Sequence, residues 1–255
     1  MSYPCVITLQ CLLKRSDMLH FKIETVMYAF NPHVNDPTST MRTFVFSDDT
    51  DEISVLIPER LDADYGMYTW PSAPTLAQYI WHNREQFRGK TVLEIGAGTA
   101  LPGIVAAKCG AVVHLSDSES LLNCSNNSLK SCIANGLNDI KVHAITWGLF
   151  GTDVLQLPSL DIIIASDCFY DTKDFEDIIS TVAFLLERNR GSEFLFTYQE
   201  RSSSRTIEHL LDQWNLNGSQ IHLSDFNADK PCLAGSELPG NHTIHMFKLT
   251  SKDNP

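Results

Sequence analysis

The sequence predicts an α/β protein built on a doubly wound, mostly parallel seven-stranded sheet, with a β-hairpin and a helix ahead of it as an N-terminal cap. Three observations carry this reading. Beyond Gly89, short unbroken apolar runs such as Asp161-Ile-Ile-Ile-Ala165 alternate with longer amphipathic stretches, and strands that are apolar on both sides belong to a sheet covered on both faces. A glycine-rich segment, Gly96-Ala-Gly98, follows the first of those strands directly and opens a helix. The last two strand-like runs are joined by Ser224 to Asn241, a loop without helical spacing, which makes an antiparallel edge the natural ending.

Taken in order, residues up to about Thr40 sustain neither period, and Asn31 to Thr40 is rich in turn residues, so residues 1–40 are expected to form a poorly ordered extension. The cap spans residues 41–88. Within it, Thr43 to Phe46 and Ile53 to Ile57 are strand-like and flank the polar Ser47-Asp-Asp-Thr-Asp-Glu52, the pattern of a hairpin. Pro71 and Pro74 suit the first turn of a helix whose Leu76, Tyr79, Ile80 and Asn83 follow helical spacing. Residues 89–255 form the main domain. Its strands are expected at Thr91–Ile95, Ala111–Leu115, Lys141–Ile145, Asp161–Ala165, Glu193–Tyr198, Gln220–Leu223 and Thr243–Leu249. Helices are expected around Ile104–Lys108, Leu121–Ala134, Asp174–Glu187 and Thr206–Trp214.

Composition narrows the functional classes. With 43% hydrophobic and 20% charged residues among 255, the chain reads as an ordinary globular protein. Its 19 basic and 31 acidic residues leave a net charge of −12, which repels a phosphate backbone and attracts a basic protein. Direct nucleic-acid binding is therefore not expected. Seven cysteines (Cys5, Cys11, Cys109, Cys124, Cys132, Cys168 and Cys232) contain no C-x-x-C pair, which fits a reducing compartment better than a disulfide framework or a zinc cluster. No signal peptide is expected, because the basic Lys14 and Arg15 follow the apolar start instead of preceding it. No run of about 18 apolar residues suggests a membrane-spanning helix either.

The loop after the first sheet strand is the place where doubly wound sheets bind ligands. A dinucleotide fingerprint starting at Gly96 needs glycine at position 101, where this chain has Leu101, and a phosphate loop needs Lys after Gly103, where it has Ile104. The second strand ends in Leu115-Ser-Asp117, and a carboxylate there can accept hydrogen bonds from both hydroxyls of a ribose. His242 and His245 face opposite sides of a strand and lack a third ligand, so no metal is expected. Cys168 reads as a buried bystander.

Glu94-x-Gly96-x-Gly98 together with Asp117 resembles the S-adenosylmethionine site of class I, seven-β-strand methyltransferases. Tyr65-Gly-Met-Tyr-Thr-Trp70-Pro, Thr146-Trp147-Gly148 and Ala165-Ser166-Asp167-Cys-Phe-Tyr170 resemble, in order, the motifs of methyltransferase family sixteen. The resemblance implies a Rossmann-like fold and S-adenosyl-L-methionine as cofactor, held by Trp70, Glu94, Gly96, Gly98, Asp117, Trp147 and Ser166, with Trp147 covering the adenine. It implies that Asp167 and Tyr170 meet the acceptor; for a guanidinium, whose planar fork carboxylates must hold, Asp167 and Asp171 are the candidates. It also implies a protein substrate: arginine in a basic, histone-like tail, with consequences for transcription, or lysine as in the wider family. Nucleus and cytoplasm are the expected locations. The alternative from another class is a methyltransferase-fold protein that docks a transcription factor or chaperone without catalysis.

Overall fold

The computed structural model describes residues 39–60, 65–118, 122–202, 206–237 and 244–253. Most of the expected N-terminal extension, as well as His242, lies outside the described residues. At the described start, β1 (Ser39–Ser47) and β2 (Glu52–Arg60) pair antiparallel from Ser39 opposite Arg60 to Ser47 opposite Glu52. Asp48 shapes the turn, since its Oδ1 accepts hydrogen bonds from the Thr50 amide (2.8 Å), the Thr50 hydroxyl (2.6 Å) and the Asp51 amide (3.1 Å). Phe44, Phe46, Val55 and Ile57 point inward while Met41, Val45 and Leu56 face solvent, the alternation a one-sided sheet requires. Both strands outrun the apolar runs that announce them, and Ser39 and Thr40 belong to β1 instead of the turn-rich stretch, because backbone pairing continues where side chains are polar.

Next come α1 (Ser72–His82) and α2 (Arg84–Phe87), the first burying Leu76, Ala77, Ile80 and Trp81. The main domain alternates β3 (Thr91–Glu94), α3 (Leu101–Lys108), β4 (Val112–Asp117), α4 (Leu122–Ala134), β5 (Lys141–Ala144), α5 (Thr152–Leu155), β6 (Ile162–Ser166), α6 (Phe175–Arg188), β7 (Glu193–Gln199) and α7 (Glu208–Gln213). It ends with β8 (Leu216–Ile221), a short pair β9 (Cys232–Leu233) and β10 (Ser236–Glu237), and β11 (Ile244–Ser251). Seven strands form one sheet in the order β5-β4-β3-β6-β7-β11-β8. The first five are parallel, whereas β11 runs antiparallel to both β7 and β8, so the chain is Rossmann-like with an antiparallel end.

Alternate residues of the central strands feed two cores. Val92 and Ile164 pack with α3, α1 and the hairpin's inward residues, whereas Leu93 and Ile163 pack with α6 and the phenylalanines Phe194 and Phe196. The hairpin is also clasped to α4: the Asn135 side chain accepts from the Leu56 amide at 3.0 Å and donates to its carbonyl at 2.7 Å, completing an edge strand's polar groups. The strand expected at Gln220–Leu223 begins four residues earlier and ends at Ile221. It starts at Leu216 and carries the exposed Asn217-Gly-Ser-Gln220, because an outer edge strand needs little apolar alternation. No helix among the described residues is long and apolar enough to cross a membrane.

Candidate active site

The strand order reverses around β3, whose neighbours β4 and β6 depart to opposite sides, and the crevice at their carboxyl ends is the candidate site. Between β3 and α3 the chain turns through left-handed conformations at Gly96, Gly98 and Ala100. Ala97 donates to the Ser116 carbonyl and Gly98 to Asp117 Oδ2, 2.9 and 3.0 Å, so the loop is tied to the end of β4. Gly103 permits the helix to close on the strand. A Cβ there would lie 2.5 Å from Glu94 Oε2 and 2.6 Å from the Leu115 side chain, the place where the Gly103 amide instead donates to Glu94 at 2.9 Å.

Glu94 is fully buried, and among the described residues its other oxygen meets no hydrogen-bonding partner. Burial pushes its carboxyl up to about 8; the Gly103 bond opposes the rise and the nearby Asp117 adds to it. Because the folded-state value lies above the ordinary 4.5, the unfolded chain ionises first, and stability falls as pH rises from about 4.5 to about 8, by an amount on the order of 5 kcal/mol. Glu94→Gln, which keeps an acceptor for Gly103, should flatten that decline. Urea denaturation at pH 5 and pH 8 checks it; an unchanged difference between the two pH values would locate the titration elsewhere.

Asp117 closes β4. Its Oδ2 holds the Gly98 amide and its Oδ1 the Ser118 amide (2.9 Å), and burial raises its pKa while these two bonds lower it. A carboxylate has about four acceptor sites, so capacity remains on the cavity side for a diol. Trp147, half-buried in the turn after β5, forms the opposite wall, and the Gly148 amide donates to Thr181 Oγ1 at 2.8 Å to fix that turn. The cap supplies the roof. The Thr69 amide donates to Glu59 Oε1 (3.2 Å), the Thr69 and Thr99 hydroxyls meet at 3.1 Å, and Tyr68 meets the Trp70 ring edge to face at 5.6 Å.

At the far end, β6 stops at Ser166 and Asp167 takes a left-handed conformation with φ of 57°. The Asp167 amide donates to the Thr197 carbonyl at 2.7 Å, and its carboxylate is gripped by Arg201. Nη1 donates to Oδ1 at 3.0 Å and Nη2 to Oδ2 at 2.7 Å, while the Gln199 amide also donates to Oδ1 at 3.2 Å. Cys168 is buried, and burial raises its thiol well above the usual range, which disfavours a reactive thiolate. Burial also raises Tyr170. Asp171 caps a short turn, its Oδ1 accepting from the Lys173 amide at 3.2 Å, and pairs with the Lys173 ammonium at 2.9 Å.

One cavity of about 850 Å³ gathers Trp70, Gly96, Gly98, Asp117, Trp147, Ser166, Asp167, Tyr170 and Asp171, the expected site residues apart from Glu94. Glu94 stands behind the loop and joins strand to helix, so it acts on a ligand only through the backbone it holds. Asp167, expected to meet the acceptor, has both its oxygens engaged by an arginine of the same chain. Arg201 also lines the cavity, and so do Asp174 and Asp177, the acidic start of α6. Arg201 was detectable only as a basic residue just past the carboxyl end of an apolar strand. His245 pairs with Glu200 at 3.0 Å away from that lining, and among the described residues no three metal-type ligands cluster.

The donor set fits an adenosyl group: an acidic strand end for a diol, an aromatic wall for a base, and a glycine backbone between them. Comparison with known proteins agrees. The family model described as "Lysine methyltransferase", methyltransferase family 16, matches residues 49–211. The chain is 51% identical over 202 residues to the histone-arginine methyltransferase METTL23 of Xenopus laevis, covering 79% of this chain and 86% of that one. Against the Homo sapiens protein of the same name it is 47% identical over 189 residues, 74% of this chain and 100% of the other. Among solved structures, a putative RNA methyltransferase from Pyrococcus horikoshii shares the fold with a TM-score of 0.50 at 13% identity, over 76% of this chain and 92% of that one. The chain therefore belongs to methyltransferase family 16, together with its METTL23 relatives, and is an S-adenosylmethionine-dependent protein methyltransferase.

Proposed function

We propose that the acceptor is arginine in a basic, histone-like protein tail, and that the enzyme acts on transcription through that modification in the nucleus and cytoplasm. The observation that carries the reading is the acidic excess of the cavity lining, where Asp117, Asp167, Asp171, Asp174 and Asp177 outnumber Lys173 and Arg201. Such a lining draws in a cationic side chain, and the chain's net charge of −12 favours a basic partner overall. The names of the METTL23 relatives tip the choice toward arginine. Lysine is the second reading, supported by the family model's description and by the apolar Cys168 and Phe169 beside the site, since desolvation favours the neutral amine that must attack.

The cofactor supplies an electrophilic sulfonium methyl group. In this reading Asp117 would hold the ribose hydroxyls, Trp147 would cover the adenine, Gly96 and Gly98 would let the backbone approach, and Ser166 and Trp70 would flank the methionine portion. Asp167, Tyr170 and Asp171 orient the acceptor nitrogen for in-line attack. Methyl transfer of this kind asks chiefly for alignment and exclusion of water, which a roofed cavity provides. Mass spectrometry of a histone mixture reacted with cofactor tests the proposal, and methylarginine is the expected product. Methyl groups found only on lysine would sink the arginine assignment, and cofactor binding without any protein methylation would favour the docking-protein alternative.

A further inference from the structure

We propose that Asp167 is the guanidinium-binding carboxylate of the acceptor site and that Arg201, which holds it in this fold, is the group an incoming arginine displaces. The inference rests on the arginine reading above and deepens it. The two partners are unequal. Asp167 is fixed: its side chain is 4% exposed, its amide is bonded to Thr197, and the Gln199 amide pins one oxygen. The Arg201 side chain is 30% exposed and reaches the carboxylate from the cavity rim, with its guanidinium 6.0 Å from the centre of the Trp70 ring. A rigid, desolvated carboxylate with a solvent-side partner can change guanidinium without being left bare.

The exchange also discriminates. One guanidinium replacing another keeps two parallel charge-assisted hydrogen bonds, whereas a lysine ammonium sets a single point charge against two oxygens and leaves one of the bonds unmade. The pocket thus selects arginine by requiring a planar fork to displace a planar fork. Arg201, being tethered, competes at the high effective concentration of an intramolecular ligand and holds substrate affinity down.

Two measurements on the full chain test this. In thermal melting with argininamide or lysinamide, argininamide should raise the Tm of Arg201→Ala and leave that of the parent nearly unmoved, and lysinamide should raise the Tm of neither protein. In kinetics with an arginine-containing histone-tail peptide, Arg201→Ala should lower KM by about tenfold, the worth of one tethered charge-assisted contact, with cofactor Kd unchanged. If Arg201→Ala does not fold, Arg201→Lys replaces it, since lysine leaves the fork unfilled and argininamide should still raise its Tm. No response of either variant to argininamide, or a fall in kcat at constant KM, would make Arg201 a fixed clamp and overturn the proposal. Methylation confined to lysine in the parent enzyme, with the argininamide response intact, would instead count against the arginine reading and leave the guanidinium site standing.

Discussion

Gly96→Ala is expected to weaken S-adenosylmethionine binding by about 100-fold in a protein that still folds. The backbone at Gly96 is left-handed, with φ of 60°, a conformation that costs an L-residue about 1–2 kcal/mol. A Cβ there would also sit 2.7 Å from Cys168 Sγ and 2.9 Å from Trp147 Cζ2, closer than real contacts allow. Cys168 is buried and its thiol donates to the Ile95 carbonyl at 3.5 Å, so it has little room to yield. Trp147, half-exposed on a turn, must move instead, and with it goes the wall proposed for the adenine. Gly98→Ala makes the comparison informative, because among the described residues its Cβ would meet nothing nearer than the Gly66 carbonyl oxygen at 3.3 Å. Calorimetry should therefore rank the two variants, with Gly96→Ala the weaker binder. Equal affinity in Gly96→Ala and the parent would remove Trp147 from the cofactor's surroundings.

What makes Gly96 readable from sequence is that strand, loop and ligand are neighbours in the chain. Ile162-Ile-Ile-Ala165 is buried along its length and announces a two-sided strand by composition alone, and Asp117 falls at a strand end by counting. The edge strand β8 escapes the same reasoning, since Asn217 to Gln220 face solvent and only their pairing with β11 makes them a strand. Glu94 illustrates a subtler limit. Its place in a motif was legible, but whether its carboxylate faces the cavity or the helix depends on Gly103, nine residues on, admitting the close approach. Arg201 could not be seen at all in this role. It meets Asp167 across 34 residues of sequence because β6 and β7 are adjacent in the sheet, and no local period or spacing encodes that pairing.

Asp167→Asn carries the second large effect, an expected loss of about 2–3 kcal/mol in stability together with most of the activity. Removing one partner of a buried ion pair typically costs about 3–5 kcal/mol. Arg201 can turn part of its guanidinium to water, which places the cost at or just below the lower end of that range. Asparagine has the same shape but presents an amide donor where Arg201 Nη2 now donates at 2.7 Å, and two donors would face each other. If that clash is the cause, adding Arg201→Gln should restore stability, and a double-mutant cycle in urea should show strong coupling. The activity of the double variant then separates two roles. Should Asp167 serve only to anchor Arg201, removing both leaves kcat/KM no lower than Arg201→Gln alone. Should its carboxylate hold the acceptor, the double variant stays nearly inactive however well it folds, because a refolded pocket without charge has nothing to set against a guanidinium.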